Sequence, residues 1–198
     1  MATRLSQGTF PSLISPNLGI LVLLRNIQII VMNYFDLFGL PVAFKADSGQ
    51  LRSAFMKIQM ASHPDKFAQS SAEEQEVALE QSAMANKGFT LLNNTEQLLP
   101  YVLEITGNLS AEEKYSLSPD FLMEMMELNE SWMEADSQSE KEAILSEINT
   151  LKNDLFNPIK TYLEADSVLD IPREAMLQIK DYYFKKKYLD RILEDFHH

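Results

Sequence analysis

Three features of the 198-residue chain predict an all-α protein. Strand signals are nearly absent: no stretch sustains apolar–polar alternation, and no Asn-Gly or Asp-Gly hairpin turn occurs. Helix punctuation is dense, with Ser71 three residues before Glu74, Ser137 three before Glu140, and Pro119 directly after Ser118. Behind each start signal, apolar residues recur at spacings of three and four.

The elements follow in order. Tyr34, Phe35, Leu37 and Phe38 make a short apolar segment within Asn33–Leu40, stopped by Gly39 and Pro41. Asp47 with Gln50 resembles a capping box, and Leu51, Phe55 and Ile58 form the stripe of the helix that follows. That helix must stop before Pro64, which disfavours helical backbone at His63. Ser71 and Glu74 open a second long helix with Ala78, Ser82, Ala85, Phe89 and Leu92 on one face. The connection is only about eight polar residues, which makes the two helices antiparallel neighbours. Residues 104–119 are rich in Gly, Asn, Ser and Pro and mark the boundary between two halves. Ser118-Pro119, then Ser137 with Glu140, then Asp170-Ile171-Pro172 start three further helices. The middle one carries Ile144, Ile148, Leu151 and Leu155, and Pro158 should kink or end it. The last is apolar at Ile179, Tyr182, Leu189, Leu193 and Phe196. Such stripes have to be buried against one another, giving a small antiparallel three-helix bundle.

Composition excludes several functions. With no Cys there is no disulfide scaffold, thiolate zinc site or cysteine nucleophile. Three His, two of them the last residues, leave little for a histidine metal cluster. A net charge of −12 argues against a general nucleic-acid binder, which needs a basic face. Residues 1–31 differ from the rest: they contain no Asp or Glu and only Arg4 and Arg25. Their apolar run, Leu18 to Val31, is interrupted by Arg25, Asn26 and Gln28, too short for a bilayer span and too impure for a secretory signal. The Arg and Ser content also fits a transit peptide. We favour a start at Met32, with 1–31 as upstream sequence or a loosely held extension, and a cytoplasmic protein.

The loop His63-Pro64-Asp65-Lys66 joins the two long N-terminal helices. Pro64 fixes φ and removes a donor, leaving the Asp65 carboxylate projecting as an anion able to take paired donors from an arginine. Segment 44–66 carries Lys45, Arg52, Lys57 and Lys66 against Asp47 and Asp65, a cationic stretch in an acidic chain and a means of steering toward an acidic partner. A hydrolytic reading, with His63 as base oriented by Asp65, lacks a nucleophile, a metal set and a Gly-rich phosphate loop. The loop, its flanking helices, the preceding Tyr34-Phe35-Asp36-Leu37-Phe38-Gly39-Leu40, and Asn86 with Phe89 resemble a J domain. That resemblance implies stimulation of ATP hydrolysis by a DnaK-type chaperone, with His63, Pro64, Asp65, Lys66, Arg52 and Lys57 as the chaperone-binding residues.

The helix after Pro119 is acidic and Met-rich. Phe121, Met125, Leu128 and Trp132 share one narrow stripe, while Leu122, Met126 and Met133 lie well away from it and Met123 falls among Glu127, Glu130 and Glu134. The helix either buries a wide face or exposes a Met/Leu patch edged by carboxylates, an adaptable recognition surface. Residues 118–136 hold six acids and no base, so a partner there should be basic.

Met32–Pro41, His63–Phe67 and Phe121-Leu122-Met123-Glu124 together look like HscB (Jac-type) co-chaperones, over residues 32–198. The resemblance implies an L-shaped, all-α molecule: a J domain over 32–104 with an antiparallel helix pair and a short first helix, a linker over 105–117, and a three-helix client-binding domain over 118–198. It further implies that the C-terminal domain binds an IscU-type iron–sulfur scaffold through Leu122, Met123, Met126, Glu127, Glu130, Glu134 and Tyr188, and presents it to a DnaK/HscA-type chaperone. Bacterial relatives usually carry another aromatic at Tyr188, and an Arg-Ala-Tyr-like run where this chain has Leu99-Pro100-Tyr101. The zinc-binding cysteine extension of some eukaryotic members is absent. The chain is then a non-enzymatic co-chaperone without a cofactor, binding neither nucleic acid nor membrane; the alternative is a J-domain adaptor for a different client.

Overall fold

The computed structural model describes residues 33–196; the stretch 1–31, the expected start at Met32, and the terminal His197-His198 lie outside them. The regular structure of the described residues is helical: α1 (Tyr34–Phe38), α2 (Ser48–Ala61), α3 (Ala72–Leu92), α4 (Thr95–Ile105), α5 (Pro119–Glu134), α6 (Gln138–Phe156), α7 (Lys160–Leu163) and α8 (Arg173–Phe196), with short 3-10 turns over Pro64–Phe67 and Asn157–Ile159.

Local chemistry sets the boundaries. The Asn33 side chain caps α1 by accepting the Asp36 amide, and Gly39 closes it in the left-handed region at φ 64°, where the Leu40 N–H reaches back to the Phe35 carbonyl. At α2 only half of the expected capping box forms: Asp47 accepts the Gln50 amide at 2.7 Å, without the reciprocal bond from the Gln50 side chain. Both arms form at Ser71/Glu74 and at Ser137/Glu140. The α2–α3 pair is antiparallel. Phe55 lies 4.4 Å from Phe89 between ring centroids, and one turn on, Gln59 Nε2 donates to Asn86 Oδ1 and to the Ser82 carbonyl.

Helix α4 was not expected. Asn94 caps it by accepting the amides of Glu96 and Gln97, and Pro100 stands in its interior, where it gives the Glu96 carbonyl no intrahelical donor. Complete burial of Leu98, Val102 and Leu103 offsets that loss. Further along, Pro158 ends α6 instead of kinking it, and the chain passes through a 3-10 turn into α7.

Two buried clusters hold the molecule. Phe121, Met125 and Leu128 of α5 pack with Ile144 and Ile148 of α6 and with Leu189 and Phe196 of α8. The other cluster joins Phe35, Phe38, Leu51, Ala85, Leu98 and Val102 to Ile159, Val168, Met176 and Ile179. Helix α8 therefore serves both, its first half completing the N-terminal core and its second half the bundle. The Val168 amide donates to the Val42 carbonyl at 2.8 Å across the same junction. A half-buried ion network lies beside it: Lys186 donates to Glu96 of α4 (3.0 Å) and to Asp190 (2.6 Å), and Lys152 of α6 also reaches Asp190 (2.9 Å). Segment 106–118 is irregular but pinned to α8 by the Glu113–Lys180 ion pair and by Tyr115, whose hydroxyl donates to Asp181 at 2.7 Å.

Candidate functional site

The His63 loop is built so that its polar groups face outward. Ser62 beneath it is buried, its hydroxyl donating to the Ile58 carbonyl. His63 caps the 3-10 turn, its Nδ1 accepting the Asp65 amide at 3.3 Å. The same nitrogen lies 3.6 Å from Asp65 Oδ2, and the Asp65 side chain is 91% exposed. The imidazole thus holds the turn, and the carboxylate is free to meet a partner. Lys66, Arg52 and Lys57 are exposed as well. Met56 and Met60, not singled out from sequence, are exposed on α2 one and two turns beyond Arg52. Their i, i+4, i+8 spacing was the available signal.

On α5 the narrow stripe is core and the remaining apolar residues are surface. Phe121, Met125 and Leu128 are buried, whereas Leu122 is 36%, Met123 60% and Met126 62% exposed. Glu127, Glu130 and Glu134 are exposed on the same helix. Leu122 and Met126 sit one turn apart, and Met126 and Glu130 another, so apolar centre and acidic rim are continuous. Half-buried Tyr188 of α8 stands edge-on to Phe121, with 6.0 Å between ring centroids. Leu122 and Met126 stand on α5, Tyr188 stands on α8 against Phe121, and the His63 loop lies separately between α2 and α3. Tyr188 also lines a cleft of 960 Å³ between α4 and α8 with Leu99, Pro100, Lys187 and Arg191.

Ionisation is perturbed around this cleft. Burial pushes the Tyr115 hydroxyl up, and its hydrogen bond to the Asp181 carboxylate adds to that, to about 12. Burial would raise Asp190, but the hydrogen bonds from Lys186 and Lys152 outweigh it and hold the carboxyl below its usual range. Burial would likewise lower Lys186, yet Asp190 and Glu96 raise it. These are the signatures of a structural network. Among the described residues no three acidic or imidazole groups converge as a metal set, and no helix is long and apolar enough to cross a membrane.

Comparison with known proteins gives this arrangement a family. A family model described as the HSCB C-terminal oligomerisation domain matches residues 117–197. A co-chaperone protein HscB homolog of Vibrio cholerae serotype O1 (strain M66-2) is 37% identical over 120 residues, 60% of this chain and 70% of that one. This chain belongs to the HscB co-chaperone family. A second HscB homolog, from Aliivibrio salmonicida, is 29% identical over 169 residues, 83% of this chain and 94% of the relative. Chaperone HscB from Vibrio cholerae superposes with a TM-score of 0.57 at 27% identity, covering 84% of this chain and 96% of that structure. Human co-chaperone protein HscB shares the fold, with a TM-score of 0.64 at 22% identity over 98% of this chain and 93% of that one. The J-domain helix pair, the C-terminal helical bundle and the co-chaperone role all follow from HscB membership.

Proposed function

We propose that this chain brings an IscU-type iron–sulfur scaffold to a DnaK/HscA-type ATPase chaperone in the cytoplasm, aiding cluster maturation and transfer, and is itself neither an enzyme nor a cofactor carrier. The domain limits 32–104, 105–117 and 118–198 belong to the same proposal. The observation that carries it is that one chain presents an exposed Asp65 carboxylate on the His-Pro-Asp turn and, on a different helix pair, an exposed apolar patch with an acidic rim. Asp65 would take paired donors from an arginine of the ATPase, helped by Arg52, Lys57 and Lys66; Leu122, Met123, Met126 and Tyr188 would anchor the scaffold, steered by Glu127, Glu130 and Glu134.

Separation of the two functions is the test. Asp65→Asn retains the fold and scaffold binding but abolishes ATPase stimulation, since losing one partner of a hydrogen-bonded charge pair costs about 2 kcal/mol or more. Leu122→Ala with Met126→Ala weakens the scaffold complex, each anchor being worth about 2 kcal/mol, and leaves scaffold-free stimulation intact. Single-turnover ATP hydrolysis and calorimetric titration read the two outcomes. Undiminished stimulation by Asp65→Asn would sink the first half; a folded double variant with undiminished scaffold affinity would move the client site elsewhere.

A further inference from the structure

The cations of α8 are not equivalent. Lys180 pairs with Glu113, Lys185 with Asp181, and Lys186 with Glu96 and Asp190. Lys187 and Arg191, one turn apart, are exposed, and neither has a carboxylate partner among the described residues, although the chain carries 29 acidic residues. Glu194 lines the same cleft without pairing with Arg191, and Asp190 is already neutralised by Lys152 and Lys186. The Arg191 guanidinium lies 4.9 Å from the Tyr188 ring centroid. An arginine resting on an aromatic face keeps its edge N–H donors free in the ring plane, a geometry suited to a carboxylate. Tyr188 also meets Phe121 edge-on, and Phe121 precedes Leu122 on α5.

The proposed client surface is therefore two-signed: Glu127, Glu130 and Glu134 flank Leu122 and Met126, while Arg191 and Lys187 flank Tyr188 where the surface turns into the cleft. We infer that Arg191, supported by Lys187, is a specificity-determining residue that receives a carboxylate of the docked scaffold, so that the scaffold's docking segment carries an acidic residue beside its basic ones. The exposed, unpaired charge of Arg191, its seat on the Tyr188 ring and the contact of Tyr188 with Phe121 of α5 carry the inference, which rests on the scaffold-binding reading above. The occupant is the scaffold itself. With both signs paired, wrong partners that are merely basic are rejected, because they would leave Arg191 facing like charge.

Calorimetric titration of an IscU-type scaffold with the full chain tests this. Arg191→Glu should weaken binding at least tenfold. Arg191→Lys, which keeps the charge but not the planar fork, should fall between it and the native chain. A reverse-charge scaffold variant, with its contacting carboxylate changed to Lys, should bind Arg191→Glu more tightly than it binds the native chain. Circular dichroism verifies that the exposed substitution leaves the fold intact, and scaffold-free ATPase stimulation should not change. Should Leu122→Ala with Met126→Ala weaken binding while Arg191→Glu leaves it unchanged or tighter, the arginine assignment is overturned and the patch survives. Should neither variant weaken it, the scaffold-binding reading itself has failed.

Discussion

Tyr115 lies flat on Phe184, with ring centroids 4.3 Å apart and planes 1° from parallel, so a residue of the irregular segment 106–118 is held against the midpoint of α8. The hydroxyl completes the contact by donating to Asp181, which also receives Lys185 at 2.7 Å. Segment and helix are thereby fixed just where α8 passes from one buried cluster to the other.

Tyr115→Phe keeps the stack and removes the hydrogen bond, and should cost about 1 kcal/mol at neutral pH. With its folded value raised to about 12 from 10.0, Tyr115 contributes stability that is present below pH 10.0 and lost as pH rises toward 12. Denaturation as a function of pH should show the native chain losing its advantage over Tyr115→Phe across that window. A constant difference throughout would show that the hydroxyl titrates normally.

The Lys152–Asp190–Lys186–Glu96 network gives a window at the other end. The Asp190 carboxyl is held below its ordinary value of 3.8, so its contribution is full above that pH and fades as pH falls below it. Lys186, raised above 10.5, contributes below that value and fades above it. Asp190→Asn should therefore melt lower than the native chain by a constant interval between these limits, the interval shrinking below pH 3.8. A melting-temperature series in acid would contradict this if the two curves stayed parallel to the lowest pH.

Much of the fold could be read from local signals, because caps and stripes act over three or four residues. The His63 turn, the Ser71 and Ser137 boxes and the Phe121–Met125–Leu128 stripe are of this kind. The turn between α2 and α3 was legible for the same reason, whereas periodicity left open whether Leu122, Met123 and Met126 of α5 are buried or exposed, and the structure exposes them. Helix α4 escaped because Pro100 argues against a helix interior, and only burial of Leu98, Val102 and Leu103 overrides it. The shared junction escaped because no periodicity says which core a stripe joins: Ile179 and Leu189 lie on the same helix and enter different clusters. Arg191 and Lys187 could not be separated from Lys185 and Lys186 by sequence, since the distinction is which of them meet a carboxylate in space.

Gly88 shows how closely α1 is pressed on α3. A Cβ there would stand 2.7 Å from Tyr34 Cδ1 and 3.0 Å from Phe38 Cε2, both atoms of rings fixed in the packing. Gly88→Ala should thus destabilise by about 1–3 kcal/mol, although alanine is the better helix former by about 1 kcal/mol. Chemical denaturation reads the sign; a gain in stability would mean that the rings yield freely.

The last prediction concerns Ile179, fully buried in the cluster that also holds Phe35, Leu51 and Leu98. Ile179→Ala removes methylenes from a site bounded by both halves of the chain and should cost about 2–5 kcal/mol. The distribution of that loss matters more than its size. Because α8 completes the N-terminal core, amide exchange should quicken in α3 as well as in α8, by at least thirtyfold where exchange requires global opening, the factor matching 2 kcal/mol. Ile148→Ala, confined to the bundle cluster, is the control. Should Ile179→Ala leave α3 protection untouched, the two halves open independently and α8 only rests on the N-terminal core. Equal loss in both would show that the J-domain helices and the C-terminal bundle unfold as one body, held together by the first half of α8.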